Sequence, residues 1–170
     1  YIPGIEVSLE GLLEEGKLRP LAIFDKPDPL EGPFFEETIY VTPSRLSCQQ
    51  KELVVRKAEE AARVLGQHHG PLHEELRLNA EGAWPVDIAA RSIGGICSRT
   101  LRFGEGMSLE DLLLRHATGG SLEGFEREPG SSGVMMIPIP VGGVLRAVEG
   151  LERARTIRHI CLLYTSDAAD

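Results

Sequence analysis

Glu75, Asp87 and Arg91 are the residues of this chain whose types and spacing could do chemistry. The alternation around them predicts a β-hairpin, with Leu72, Leu76 and Leu78 on one face and His73, Glu75 and Arg77 on the other. Beyond the turn, Trp84, Val86 and Ile88 alternate with Asp87, Ala89 and Arg91. A three-residue loop of Ala80, Glu81 and Gly82 is expected to join the strands, with Gly82 in the left-handed position. That register sets Leu78 opposite Trp84, Leu76 opposite Val86, and Glu75 opposite Asp87. Facing carboxylates repel unless something compensates. A divalent cation does so, and an oxygen-only donor set points to magnesium or manganese. Arg91, further along the face of Asp87, suits a phosphate. A second reading stands beside this one, in which Glu75 and Asp87 only decorate the wet face of a half-buried sheet. Glu74 breaks the pattern by falling on the apolar face, at a sheet margin or a slip of register.

The motif His73-x-Glu75-Leu76-Arg77-Leu78, followed by Val86-Asp87-Ile88-Ala89-Ala90-Arg91-Ser92-Ile93-Gly94-Gly95, resembles the metal-binding strands of the ATP-grasp superfamily. Within it, the chain looks most similar to carboxylate–amine ligases that join amino acids, such as dipeptide and carnosine synthase-like enzymes. The resemblance implies that Glu75 and Asp87 bind magnesium between ATP phosphates and that Arg91 is the catalytic residue on the transferred phosphoryl group or acyl phosphate. It implies ATP contacts at Ile2, Arg77 and Arg91, with backbone groups near Ile2 meeting the base. Two departures matter. Asp87 stands where glutamate is usual, and Ala89 where many relatives carry an asparagine ligand, although the Ala-Ala-Arg variant resembles the amino-acid ligase branch. Biotin carboxylase-like members carry a Gln-Val-Glu-His segment after the arginine, whose glutamate works on bicarbonate; here Ser92-Ile93-Gly94-Gly95 replaces it. Residues 1–7 resemble the segment after the adenine-binding hinge, 24–38 a loop near the substrates, and 133–140 the opening of a β-rich extension.

Residues 161–170 resemble the in-frame translation of a sequencing adapter and are set apart from the fold as an expected artefact. The chain opens at Tyr1, not methionine, on a Pro-Gly turn, and reads as a fragment. In relatives the phosphate-binding lysines and the N-terminal lobe lie upstream, so the parent protein is expected to be the enzyme and this piece alone inactive.

Composition bounds the rest. The net charge of −8, or −6 without Asp167 and Asp170, disfavours a nucleic-acid or anionic-membrane partner. The 42% hydrophobic content suits a globular core. No apolar run approaches the roughly 20 residues that span a bilayer. Cys48 and Cys97 form neither a disulfide framework nor a zinc motif, which makes a reducing cytoplasm the default. Cys97 reads as a small buried thiol rather than a nucleophile.

Residues 5–13 and 18–25 read as an antiparallel pair, and 47–65 as a helix. Ser47 and Gln50 cap that helix, Leu53, Ala58, Ala61, Ala62 and Leu65 form its stripe, and Gly66 stops it. The Pro-rich stretch 27–33 is a loop beside Lys26, Glu36 and Glu37, all candidates to touch ligand or simply solvated. His68 and His69 read as an exposed pair. Ser92, Gly94 and Gly95 make a turn whose amides could approach a charged substrate, or an ordinary tight turn. Arg99 or Arg102 is a candidate for a substrate carboxylate. Ser108 and Asp111 cap a second helix. Strands are expected over 134–139 and 144–148, the first at an edge because of Pro138 and Pro140, and a helix from Leu151.

The fold expected is α+β: an antiparallel sheet backed by two helices. Residues 1–120 correspond to an incomplete C-terminal ATP-grasp lobe, 121–133 to a mobile loop, and 134–160 to the start of the extension. The expected partners are ATP and small molecules such as amino acids, without nucleic acid or membrane, with a homo-oligomer possible. The expected reaction is ATP-dependent amide formation through an acyl phosphate. The alternatives are a biotin carboxylase-like subunit or a non-catalytic nucleotide-binding domain.

Overall fold

The computed structural model describes residues 1–28, 38–137, 142–144 and 146–163. Its strands are β1 (Ile5–Glu14), β2 (Lys17–Lys26), β3 (Ile39–Thr42), β4 (Gly70–Asn79), β5 (Gly82–Ala89) and β6 (Ser132–Met135). They form one antiparallel sheet in the order β5-β4-β1-β2-β3-β6. The α+β class therefore holds. β1 and β2 join through Glu15 (φ 51°) and Gly16 (φ 82°), two left-handed residues whose turn matches the twist of the strands.

One sheet face carries Val7, Leu9, Leu13, Leu72 and Leu76 against α1 (Cys48–Val64). Ser47 accepts from the Gln50 amide, and Gln50 returns a bond from its side chain to the Ser47 amide. Gly66 (φ 77°) ends the helix, its amide bonding to Arg63 and that of Gln67 to Ala62. The buried stripe is Val54, Ala58 and Ala62. Leu65, expected in it, is exposed, because the four-residue spacing of those three sets the buried line.

The opposite face holds a second core of Leu12, Phe24, Tyr40, Leu101, Phe103 and Leu112. Here α2 (Leu109–Ala117) packs through Leu109 and Leu112, capped by Ser108 and Asp111 as expected. The two helices thus lie on opposite faces of the sheet rather than both behind it. The segment 121–133, expected to move, buries Leu122 and is tied by Arg19 Nη1 to the Leu122 carbonyl at 2.8 Å and by the Glu128 amide to Arg102 at 2.8 Å. Cys97 is buried in this core.

The hairpin β4–β5 departs from its expected pairing. Asn79 opposes Gly82 across a two-residue turn, so Leu78 faces Ala83 and Leu76 faces Pro85. A bulge between Glu75 and Leu76 then leaves Val86 as the extra residue on β5 and restores Glu75 opposite Asp87. Ala83, not Trp84, enters the core, and Trp84 is 42% exposed. Asn79 supports the short turn by accepting from the amides of Glu81 and Gly82.

The chain divides into two compact units, Tyr1–Pro138 and Ile139–Asp170. β6 belongs to the first as an edge strand of the main sheet, so the extension expected from residue 134 begins inside that unit. In the second, α3 (Leu151–Arg155) is present. Residues 144 and 146–148 form no strand: Val144 is 85% exposed and the described stretch has no ladder partner. Residues 161–163 have no regular structure, and the rest of the expected artefact lies outside the described residues. Among the described residues no helix is long and apolar enough to cross a membrane.

Candidate active site on the open sheet face

Alternation on β1 puts Glu6, Ser8 and Glu10 on the face opposite α1, and on β2 it adds Phe24 and Lys26. β4 contributes His73, Glu75 and Arg77 to the same face. Glu75 and Asp87 oppose each other directly on neighbouring antiparallel strands, which places their Cβ atoms on one face at roughly 5 Å. The expected juxtaposition of the two acids is therefore present. Asp87 is exposed. Glu75 is half-buried, with Lys26 Nζ 2.8 Å and the Tyr40 hydroxyl 3.5 Å from its Oε1.

Lys26 is the hub of the charge network. Its ammonium is buried, donates to Glu6 Oε1 at 2.6 Å as well as to Glu75, and lies 5.3 Å from the Tyr40 ring centre. A cation so deep is tolerated because two carboxylates flank it. Glu6 Oε2 accepts from Arg77 Nε at 2.8 Å, a bond that raises the Arg77 pKa above its ordinary value. Arg77 Nη1 donates to the Ile2 carbonyl at 2.8 Å, and the guanidinium lies 5.3 Å from the Tyr1 ring centre. Ile2 and Arg77 are thus brought together, but by each other: the arginine fastens the N-terminal segment. A cleft of about 530 Å³ opens beside them, lined among others by Tyr1, Glu6, Lys26, Arg77 and Gln50. It meets the acid pair only through that network.

Arg91 lies just past β5 and is exposed, with Nη1 donating to the Ser92 carbonyl at 2.9 Å. Gly94 and Gly95 are exposed, and Gly95 takes φ 61°, a conformation that favours glycine. The turn is anchored by the Ile93 amide, which donates to Glu10 Oε2 at 2.9 Å. Glu10 in turn contacts His73 Nδ1. Burial raises the Glu10 pKa, while His73, the Ile93 amide and the charge of Arg91 pull against it. Arg102 donates to the Leu101 carbonyl and Arg99 is exposed on a short 3-10 turn (Cys97–Thr100), neither meeting the acid pair. Glu36 and Glu37 lie outside the described residues. His69 stacks on His116 at 4.3 Å rather than standing alone.

Glu6, Glu10 and Tyr40 are members of this face that the sequence did not single out, whereas alternation had already set His73 beside Glu75 and Arg77. The signal was available for Glu6 and Glu10, since the same alternation that places Val7 and Leu9 inward places them with Glu75. Glu74 lies one residue before the register shift between Glu75 and Leu76. It is fully buried on the α1 face, both carboxylate oxygens lack a hydrogen-bond partner, and burial pushes its pKa up to about 7.

The family model described as an ATP-grasp domain matches residues 1–100, and the chain belongs to the ATP-grasp family. It is 34% identical over 110 residues to the alanine–anticapsin ligase of Bacillus subtilis (strain 168), covering 64% of this chain and 22% of that protein. The crystal structure of an L-amino acid ligase from Bacillus licheniformis superimposes with a TM-score of 0.79 at 30% identity, over 93% of this chain and 40% of that one. A biotin carboxylase from Campylobacter jejuni, at a TM-score of 0.58 and 15% identity over 78% and 30% of the chains, shares the fold. The chain spans about a fifth of the length of the curated relatives it matches.

Proposed function

We propose that the protein carrying this chain is an ATP-dependent ligase that joins a carboxylate to an amine, both amino acids or similar molecules, through an acyl phosphate. The observation that carries the reading is the direct opposition of Glu75 and Asp87 on the open sheet face, with Arg91 and the 92–95 turn at the end of the same hairpin. The ligase relatives support it.

The donor set suits magnesium or manganese: two carboxylates and no nitrogen or sulfur, with phosphate and water completing the shell. Among the described residues no three His, Cys, Asp or Glu side chains gather to hold a metal alone. Held by Glu75 and Asp87, the cation would neutralise charge on the transferring phosphate. The cleft beside Tyr1, Ile2 and Arg77 has a volume ordinary for a small-molecule site and would take the base. The carboxylate oxygen attacks the γ-phosphorus as the bond to the β-phosphate oxygen breaks. Arg91 holds the oxygens of the acyl phosphate, and the amides of Ser92, Gly94 and Gly95 approach it. The amine nitrogen then bonds to the acyl carbon, phosphate leaves and the amine proton passes to solvent. No side-chain nucleophile is needed, because catalysis here is positioning and electrostatics.

The carboxylase alternative is weaker, because residues 92–95 offer no glutamate to work on bicarbonate. The test is amine-dependent ADP release by the full-length protein with a panel of amino acids. Glu75→Gln and Arg91→Ala should each lower turnover about a hundredfold, the consequence of losing about 3 kcal/mol in the transition state. Raising magnesium should recover part of the Glu75→Gln loss by mass action and none of the Arg91→Ala loss. Wild-type turnover in both variants would remove these residues from the active site. Bicarbonate-dependent turnover without an amine would favour the carboxylase, and no turnover in the wild type would favour a non-catalytic domain.

A further inference from the structure

Two of the most deeply buried polar side chains on the face of the acid pair have no task in the proposed reaction. Glu10 and His73 are direct neighbours across β1 and β4 and are 2% and 4% exposed. Glu10 bridges two elements: Oε1 contacts His73 Nδ1, and Oε2 accepts the Ile93 amide at 2.9 Å. Ser8 Oγ adds a contact to Nδ1 at 3.5 Å. From the other side of the ring, Nε2 lies 3.9 Å from Glu75 Oε1, the oxygen that Lys26 holds. Hydrogen bonds therefore join the backbone of the glycine turn to Glu10 and Glu10 to His73, whose Nε2 lies at ion-pair range, beyond hydrogen-bond range, of the Glu75 carboxylate.

A leucine pair would hold two strands together without the desolvation that a buried carboxylate and imidazole suffer. What a leucine pair cannot do is fix a backbone amide on one loop and a carboxylate on another strand in a set relation. Groups behind a metal ligand orient it, and their loss weakens metal binding. Reaction rates in turn depend on the relative placement of the reacting parts to within about an ångström.

We propose that Glu10 and His73 are positioning residues that lock the 92–95 turn and the metal-ligand carboxylate of Glu75 into one rigid unit, so that the phosphate cradle and the cation site keep a fixed separation. The inference rests on the reading of Glu75 as a metal ligand.

The two sets of contacts can be cut separately in the full-length protein, with Mn²⁺ as the probe and its binding followed by electron paramagnetic resonance. His73→Asn keeps an amide donor for Glu10 but ends the reach to Glu75. It should weaken Mn²⁺ binding roughly tenfold and leave the KM for the amine within about twofold. His73→Gln, with a longer amide, should restore most of the Mn²⁺ affinity. Glu10→Gln keeps the shape but turns one acceptor into a donor, so it should raise the amine KM and weaken Mn²⁺ binding together. If His73→Asn and Glu10→Gln lower only the melting temperature, with both binding constants unchanged, the pair is structural and the inference is overturned. Glu75→Gln is the control. Should it leave Mn²⁺ binding at the wild-type level, the metal reading itself fails. Should it abolish binding while His73→Asn has no effect, the site stands and only the positioning role is lost.

Discussion

Glu74 and Glu75 are consecutive carboxylates whose environments differ because strand alternation sends them to opposite faces. Glu75 meets Lys26, whereas Glu74 lies among Leu72, Leu76 and the α1 stripe with no partner. Desolvation alone raises the pKa of Glu74 from 4.5 to about 7, the charge of His73 opposing. A raised carboxyl pKa means that the folded protein keeps its proton after the unfolded chain has lost it. Stability is therefore unaffected below pH 4.5, falls as pH rises from 4.5 to about 7, and is flat above. The drop is about 3 kcal/mol, at 1.36 kcal/mol for each pH unit. Glu74→Gln mimics the neutral form, so it should match the wild type in urea unfolding at pH 4.5 and exceed it by about 3 kcal/mol at pH 8. An equal difference at both pH values would show that ionisation of Glu74 is not what limits stability.

At the scale of elements, α1 covers one face of the sheet, while the other carries both the second core and the acid pair. α1 touches the α1-side core and contributes no side chain to the acid pair. Its capping box satisfies two orphan amides at the N-terminus. Ser47→Ala should therefore cost about 1 kcal/mol of stability without changing Mn²⁺ affinity; a change in that affinity would mean that the helix entry communicates with the acid pair. The hairpin β4–β5 carries the chemistry instead. Its turn is one residue shorter than the alternation suggests, and its bulge adds one residue back. The two irregularities cancel at Glu75 and Asp87, so that pair was legible in the sequence although Leu76 and Leu78 have other partners than expected. The local signal of the bulge is Pro85, which cannot donate to the ladder, and Ala83 rather than Trp84 fills the core.

For the whole molecule, Tyr1–Pro138 holds both hydrophobic cores and the complete six-stranded sheet. Among the described residues, the unit Ile139–Asp170 supplies no strand to that sheet. A chain ending at residue 138 should therefore unfold within a few degrees of the 170-residue chain in a thermal melt, since a shift of that size corresponds to about 1 kcal/mol or less in a domain of this length. A loss of cooperative unfolding on truncation would contradict the division into two units. The charged face follows from the same architecture. Glu6, Lys26, Glu75 and Arg77 come from three strands, and only the stacking of β2, β1 and β4 side by side balances their charges.

The local periodicities of this chain determine its elements: the alternation of β1 and β4, the capped helices, and the antiparallel α+β class all follow from patterns a few residues long. The acid pair belongs to the same category, because cross-strand opposition in a hairpin is a short-range property. Tertiary structure decided the rest. Lys26 reaches Glu75 across β1, and Glu10 reaches Ile93 between elements more than eighty positions apart, distances over which no sequence period carries information. The burial of Glu74 and the placement of α1 and α2 on opposite faces were decided there too, since both depend on which apolar surfaces meet once the strands have assembled.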